Sequence, residues 1–341
     1  MFVTYLRRVM DGGVLSSDEA YAAMMELVHG EVAESQAAAF FAALRLRRER
    51  AEELGGFARA LLDEAVSCRD FEGLLDTCGT GGDGLGTFNI STAAAIVCAA
   101  CGVKVAKHGN RAATSRAGSA DVLEALGVRV SLELDEARRA LDEVGMSFLF
   151  APAFHPAMKK FAPMRRSLGI ATAFNFLGPL VNPFHPAYQV MGIADPRMME
   201  PVAGALALLG RQRALVVHAE HGMDEITHRG RTEVVEVAGG ERRRRLLQRG
   251  KPCSRQEALA AIRGGEAEEN ARIVAGVLAG EQGEPREIVV LNAAVALELC
   301  GAAAGLEEGE RMAAEAIDSG RAAATLRRLV EFTRERRVRS C

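Results

Sequence analysis

No excess of either charge runs through this chain of 341 residues: 42 Lys and Arg face 45 Asp and Glu, for a net charge of −3. That balance gives no electrostatic case for a nucleic-acid or membrane partner. No stretch reaches the roughly 18 uncharged apolar residues of a membrane-spanning helix. The opening MFVTYLRRVMDGGVLSSDEA meets charge and polarity too early for a secretory signal, so a cytoplasmic protein is expected. The seven cysteines, an odd number scattered from Cys68 to Cys341, do not make a disulfide framework. Cys98 and Cys101 form a C-x-x-C inside the apolar run AAAIVCAACGVKV, with no second pair and no histidine cluster nearby, and read as buried thiols. Aromatic residues are only 5% of the chain, and repeats and low-complexity tracts are absent. The one strong basic run, ERRRRLLQRGK from Glu241 to Lys251, therefore reads as a solvated loop or helix face.

What is present begins with helices. Up to about residue 70, Ala, Leu, Met and charge dominate. SSDEAYAAMMELVHG places Ser17 before an acidic first turn and Gly30 as a stop, and SQAAAFFAALRLRRER follows with its basic end C-terminal. From Leu74 the texture changes to short strands alternating with helices. GVKVAKHGN carries a β-rich run, DVLEALGVRVSLELDEARRALDEVGMSFLFAP reads as helix, strand, helix and strand, and RALVVHAEHG is a further strand ending in a polar loop. The section SLGIATAFNFLGPLVNPFHP, rich in Gly, Pro and Asn, is a candidate crossing between domains, and REIVVLNAAVALELCG reads as a strand leading into a helix. The expected fold is therefore α/β: a small all-helical domain beside a larger domain with a mostly parallel central sheet and sites at strand ends.

Four segments have the composition of a site. DTCGTGGDGLGTFNIST, Asp76 to Thr92, is an anion cradle: its glycines allow positive φ and close approach, and Asn89, Ser91 and Thr92 supply donors where a helix would begin. Asp83 within it, a carboxylate beside the phosphate position, points to magnesium. KHGNRAATSRAGSADVLEALG crowds donors before a helix starting near Ser119, with Asp121 in its first turn. In HAEHGMDEITHRG, Asp224 and Glu225 are adjacent carboxylates after a strand. His218, His221 and His228 around them lack the spacing of a zinc site. FHPAMKKFAPMRRSLG brings His155, Lys159, Lys160, Arg165 and Arg166 together, and an arginine there is suited to clamp a planar carboxylate.

In this order, GTGGDGLGTFNIST, KHGNRAATSRAGSADVLEALG, GPLVNP and GMDEI resemble the anthranilate phosphoribosyltransferase family, and QAAAFFAALRLR, VVLNAAVAL and EAIDSGRA extend the likeness over nearly the whole chain. The resemblance implies a homodimer, a helical domain over residues 1–70 with a returning segment near 165–190, and a catalytic α/β domain over 71–341. It implies that phosphoribosyl pyrophosphate is held by Gly79, Gly82, Asp83, Thr87, Asn89, Ile90, Ser91, Thr92, Lys107 and Ser119. The loop His108, Gly109, Asn110, Arg111, Ala112, Ala113, Thr114 and Ser115 would complete that site. Ser91, Asp224 and Glu225 would hold two magnesium ions, and Gly79, Asn110, Arg165, His108, His155 and Pro179 would line the anthranilate path. The chain departs from the family pattern at Ala171, where an arginine is usual, and at Ala117, where a serine is usual. The implied reaction assigns no general base, since an aromatic amine is already neutral at pH 7.

Two other readings share some of these residues. A pyrimidine nucleoside phosphorylase has a similar K-H-G-N-R loop but not the Asp224–Glu225 pair in a G-M-D-E-I setting. A non-catalytic paralogue binding nucleic acid through Arg242 to Arg245 would have no need of both the glycine-rich loop and the acidic pair.

Overall fold

The computed structural model describes residues 1–112, 116–251 and 253–335. Four helices open the chain: α1 (Phe2–Met10), α2 (Ser17–His29), α3 (Glu34–Arg47) and α4 (Ala51–Asp63). The α2 cap lies one residue earlier than the sequence suggests. The Ser16 hydroxyl accepts from the Glu19 N–H at 3.2 Å while the Glu19 carboxylate accepts from the Ser16 N–H at 2.8 Å. Gly56 lets α4 lie directly on α2, because a Cβ there would stand 2.7 Å from that of Ala20.

The α/β part begins with β1 (Leu75–Gly79), α5 (Ile90–Ala100), β2 (Val105–Gly109), α6 (Ser119–Ala125), α7 (Leu134–Glu143) and β3 (Met146–Phe150). Short helices α8 (Ala151–Phe154), α9 (Ala162–Leu168) and α10 (Phe174–Leu180) follow, then β4 (Tyr188–Gly192), α11 (Met199–Leu208) and β5 (Arg213–Ala219). A hairpin of β6 (Gly230–Ala238) and β7 (Glu241–Arg249) precedes α12 (Arg255–Ala260), α13 (Ala267–Leu278), α14 (Glu284–Leu299), α15 (Leu306–Asp318) and α16 (Arg321–Arg334).

The seven strands form one sheet in the order β3-β2-β1-β4-β5-β6-β7. Pairings from β3 to β5 are parallel, and the last two, β5 with β6 and β6 with β7, are antiparallel. Side-chain alternation divides the core. Val190, Leu215, Val217 and Val234 join the cluster built on α5 and α13 to α16, whereas Met191, Val216, Val235 and Val237 face α11 and the N-terminal helices. The second cluster is also aromatic: Phe41 and Phe161 pack on Phe174 at 4.8 and 4.9 Å between ring centres, which joins α3 to α10.

Three expectations fail. The run VRVSLEL is extended but not in the sheet. Val128, Val130 and Leu132 are buried, and the Arg129 N–H is taken by the Thr333 hydroxyl of α16 at 3.2 Å rather than by a strand. REIVVL is helical, not a strand: Pro285 stands in the first turn of α14, and Ile288, Leu291, Asn292, Val295 and Leu299 fall on buried helical positions. The arginine run is neither loop nor helix but the edge strand β7. Gly239 and Gly240, at φ +57 and +84, make the two-residue turn that pairs it with β6. The charges suit an exposed sheet edge, where they oppose pairing with another chain. Cys98 is buried, and its thiol points to the Ala293 carbonyl at 3.6 Å.

No helix among the described residues is long and apolar enough to cross a membrane. Strands β2 and β4 flank β1 on opposite sides, so the chain reverses its winding at the β1–β4 seam. In an open parallel sheet that reversal opens a crevice at the carboxyl ends of the strands.

Candidate active site

The loops after β1, β2 and β5 all emerge at that crevice. The glycine-rich loop turns through Gly81, Gly82, Gly84 and Gly86, all at φ between +61 and +75, and enters α5 with Asn89 as its N-cap. Its far side is tied down by backbone bonds from Gly264 N–H to Gly86 O at 2.7 Å and from Phe88 N–H to Ile262 O at 3.2 Å, with Thr87 bridged to Arg263.

Carboxylates from distant segments converge under this loop. Asp224 is buried, and its Oδ2 accepts from the Gly81 N–H at 2.8 Å. Glu225 accepts from the Ser91 N–H at 3.1 Å. Asp83 caps the Leu85 N–H at 3.1 Å through Oδ1, while its Oδ2 is buried without a partner. Burial pushes both Asp224 and Glu225 well above the usual carboxylate range, and the mutual repulsion among the three acids adds to the rise. Lys107 is buried too, donating to the Thr77 carbonyl and to the Ser91 hydroxyl at 3.3 Å, and desolvation lowers its pKa. One lysine against three acids leaves the cluster short of positive charge. Oxygen donors short of neutralising charge, one of them an orphaned carboxylate oxygen, suit magnesium in kind, while the acids and histidine already within coordination distance of one another among the described residues are His228, Glu284 and Glu287.

The acidic loop is clamped from α14. Asn292 donates to Ile226 O at 2.9 Å and accepts from Ile226 N–H at 3.1 Å, immediately after Glu225. Asn89 is held likewise, its Oδ1 accepting from Asn270 at 2.9 Å. The sequence reading missed both helix asparagines. Their signal is a polar residue on an otherwise apolar helix face. Ile90 brings only backbone to the site, since its side chain lies in the core.

After β2, Asn110 Oδ1 accepts from the Arg111 N–H at 2.8 Å, and Asp121 Oδ2 accepts from Ala112 and Gly118 at 2.9 and 2.8 Å. Arg111 is exposed and paired with Glu124, so its side chain turns away from the carboxylate cluster. Ser119 hydrogen-bonds Asn110 O at 3.5 Å, and a Cβ on Gly109 would collide with that hydroxyl. Ala113, Thr114 and Ser115 lie outside the described residues.

On the other side stand two histidines in contact. His108 and His155 have ring centres 5.2 Å apart, and burial holds their pKa values down to about 3 and about 4, so both are neutral. Arg165 lies over the Phe174 ring at 5.2 Å, with no carboxylate partner among the described residues. Ala171 is exposed, and Pro179 sits within α10 beside Gly178, around which a Cβ would meet open space. The histidines at the end of β5 and after it turn to separate partners: His218 to Ile193 O at 2.7 Å, His221 to Arg229 O at 3.2 Å and His228 to Glu284.

A mostly parallel sheet ending in a glycine-rich loop, with acidic residues beneath it and a helical bundle alongside, makes a two-part framework whose crevice lies at the strand ends. Residues 72–323 match the model described as the a/b domain of a glycosyl transferase family, and residues 3–65 match its helical bundle domain. The chain is 53% identical to the anthranilate phosphoribosyltransferase of Syntrophomonas wolfei, over 98% of this chain and 99% of that one. It resembles the crystal structure of the Thermus thermophilus enzyme of that name with a TM-score of 0.89 and 44% identity, covering 97% of this chain and 99% of that one. Against the Saccharomyces cerevisiae enzyme in complex with PRPP and Mg, the TM-score is 0.86 at 27% identity, with 97% of each chain covered. The chain belongs to the anthranilate phosphoribosyltransferase family.

Proposed function

We propose that the protein transfers the 5-phosphoribosyl group of phosphoribosyl pyrophosphate to the amine of anthranilate, giving N-(5-phosphoribosyl)anthranilate and pyrophosphate in tryptophan biosynthesis. The observation that carries this reading is the convergence of Asp83, Asp224 and Glu225 with buried Lys107 on the glycine-rich loop. Ser91, Asp224 and Glu225 would hold two magnesium ions, with Asp83 beside them. Magnesium bound there supplies positive charge to the leaving pyrophosphate.

The remaining chemistry belongs to the chain. Glycine-loop amides and the N-terminus of α5 receive phosphate oxygens, with Asn89, Thr92 and Lys107 around them. Arg165, without a carboxylate of its own among the described residues, is suited to the anthranilate carboxylate. His108 and His155 line the amine side as neutral rings, adding no charge to repel the cationic sugar. The bond from C1 of the ribose to the pyrophosphate oxygen breaks with its electron pair on oxygen. The amine lone pair forms the new C1–N bond from the opposite face, and its extra proton departs to water afterwards. Donors preorganised toward the pyrophosphate stabilise charge where it develops. The same reading takes the protein as a cytoplasmic homodimer associating through its helical part, residues 1–70 with the returning segment near 165–190, beside the catalytic part over 71–341.

The test follows anthranilate fluorescence on mixing protein, phosphoribosyl pyrophosphate and magnesium, with an Asp224→Ala, Glu225→Ala double variant alongside. Fluorescence loss in the wild type and not in the variant is expected. No loss at millimolar anthranilate would sink the proposal.

A further inference from the structure

Four successive carbonyls at the end of α10 each accept a hydrogen bond from a side chain. Gly178 O accepts from His108 Nδ1 at 3.0 Å and Pro179 O from the Gln189 amide at 2.8 Å. Leu180 O accepts from the Arg211 guanidinium at 3.4 Å and Val181 O from His155 Nε2 at 2.7 Å. These are the carbonyls that a helix end leaves without intrahelical partners. Because a carbonyl can only accept, the contacts decide the tautomers: His108 carries its proton on Nδ1, and His155 carries one on Nε2. His108 Nε2 is left as a buried lone-pair acceptor with no partner among the described residues.

Two of the four donors lie away from the acceptor side, and one orients the other. Arg211, buried between α11 and β5, donates Nε to Gln189 Oε1 at 3.0 Å. Gln189 must then point its amide nitrogen at Pro179 O and, at 3.5 Å, at Asp76 Oδ2. Asp76 is fully buried. It accepts from Asn182 at 3.0 Å on the same oxygen and from the His108 N–H at 3.3 Å on the other. The relay runs from Arg211 through Gln189 to the α10 carbonyls and Asp76, and so to the ring and the backbone of His108.

We propose that Arg211 and Gln189 are positioning residues for the amine acceptor: by holding the α10 carbonyls and Asp76 they keep His108 in its Nδ1–H tautomer, with Nε2 kept as the lone-pair acceptor of the amine side. This rests on the reading of His108 as an acceptor-side residue. A loosened relay lets the α10 end shift and the His108 ring change tautomer, which weakens capture of the amine and leaves the phosphate cradle on the far side of β1 intact.

The full-length protein is compared with Arg211→Met, Gln189→Leu and the conservative Arg211→Lys. In Arg211→Met and Gln189→Leu, the KM for anthranilate rises about tenfold while that for phosphoribosyl pyrophosphate stays within about twofold. Arg211→Lys, which keeps one donor, falls between them and the wild type. Long-range proton–nitrogen NMR of histidine-labelled protein, with the signal assigned by His108→Asn, shows a single Nδ1–H form in the wild type and a mixture in Arg211→Met and Gln189→Leu. An Nε2–H signal for wild-type His108 overturns the proposal whatever the variants do. An unchanged tautomer in either folded variant, or equal rises in both KM values, also overturns it. The NMR readout needs no turnover, so it separates failure of this proposal from failure of the transferase reading.

Discussion

Gly79 and Gly192 are register partners at the carboxyl ends of β1 and β4, and Asp224 occupies the space that their missing side chains leave. A Cβ on Gly79 would stand 2.5 Å from Asp224 Oδ2, and one on Gly192 would overlap the Asp224 backbone carbonyl. The seam where the sheet reverses its winding is thus left bare so that a loop from after β5 can bring a carboxylate over it.

Gly79→Ala is accordingly a variant of the site rather than of the fold. Displacing Asp224 by an ångström or so lowers turnover about 10²-fold, the usual cost of misplacing a reacting constellation. Magnesium titration by calorimetry is expected to weaken in parallel. Normal magnesium binding in a slow Gly79→Ala variant would show that the space beside Gly79 has another purpose.

Asp224→Asn removes one of three mutually repelling acids and keeps an oxygen for the Gly81 N–H. With divalent metal chelated, the variant is expected to be more stable than the wild type by about 1 kcal/mol, and to be inactive. Thermal melts in EDTA decide this, and a lower melting temperature for Asp224→Asn would contradict the repulsion argument.

His155 is neutral in the fold, with its pKa held at about 4 against an ordinary 6.5. Its folded-state value is depressed, so its contribution is fully present above about pH 6.5 and is lost as the pH falls toward 4, where the unfolded chain takes up the proton first. Between pH 7 and pH 5 the wild type should lose about 2 kcal/mol more than His155→Gln does. Urea unfolding of both proteins at the two pH values measures the difference. Parallel losses would mean that the ring is protonated in the folded protein.

Phe174 joins the helical layer to the site by touching Phe41, Phe161 and the Arg165 guanidinium. Phe174→Ala is expected to cost about 3 kcal/mol of stability and also to raise the anthranilate KM, because Arg165 loses its platform. Phe40→Ala, in the same cluster but away from Arg165, should destabilise without the KM effect. If the KM rises equally in both variants, Arg165 is not the carboxylate clamp.

The particular motifs were legible because their chemistry is local. A glycine-rich turn entering a helix cap, a donor-rich loop after a strand, and paired acids in a polar loop each announce an anion or cation within a dozen residues. The alternation of strand and helix from Leu74 onward likewise carried the α/β class, since hydrophobic period depends on nearest neighbours along the chain. Composition misleads where a segment's partner lies elsewhere in the chain. VRVSLEL has strand alternation but meets α16, and REIVVL has β-branched residues but is buried on nearly all sides as a helix. The edge strand β7 was signalled by Gly239–Gly240 and hidden by its arginines.

By itself, then, the sequence determined the class of fold and singled out residues whose chemistry suits phosphate and metal. Tertiary structure alone decided which of them share charge. Asp83 stands about 140 positions before Asp224 and Glu225, and the three become one repelling cluster only when β1 and β5 fold into the same sheet. It also decided the protonation of His108, because the Gly178 carbonyl that sets its tautomer and the Gln189–Arg211 pair that steadies the helix end are all remote in sequence. Electrostatic coupling acts through space and through desolvation, and a linear sequence states neither.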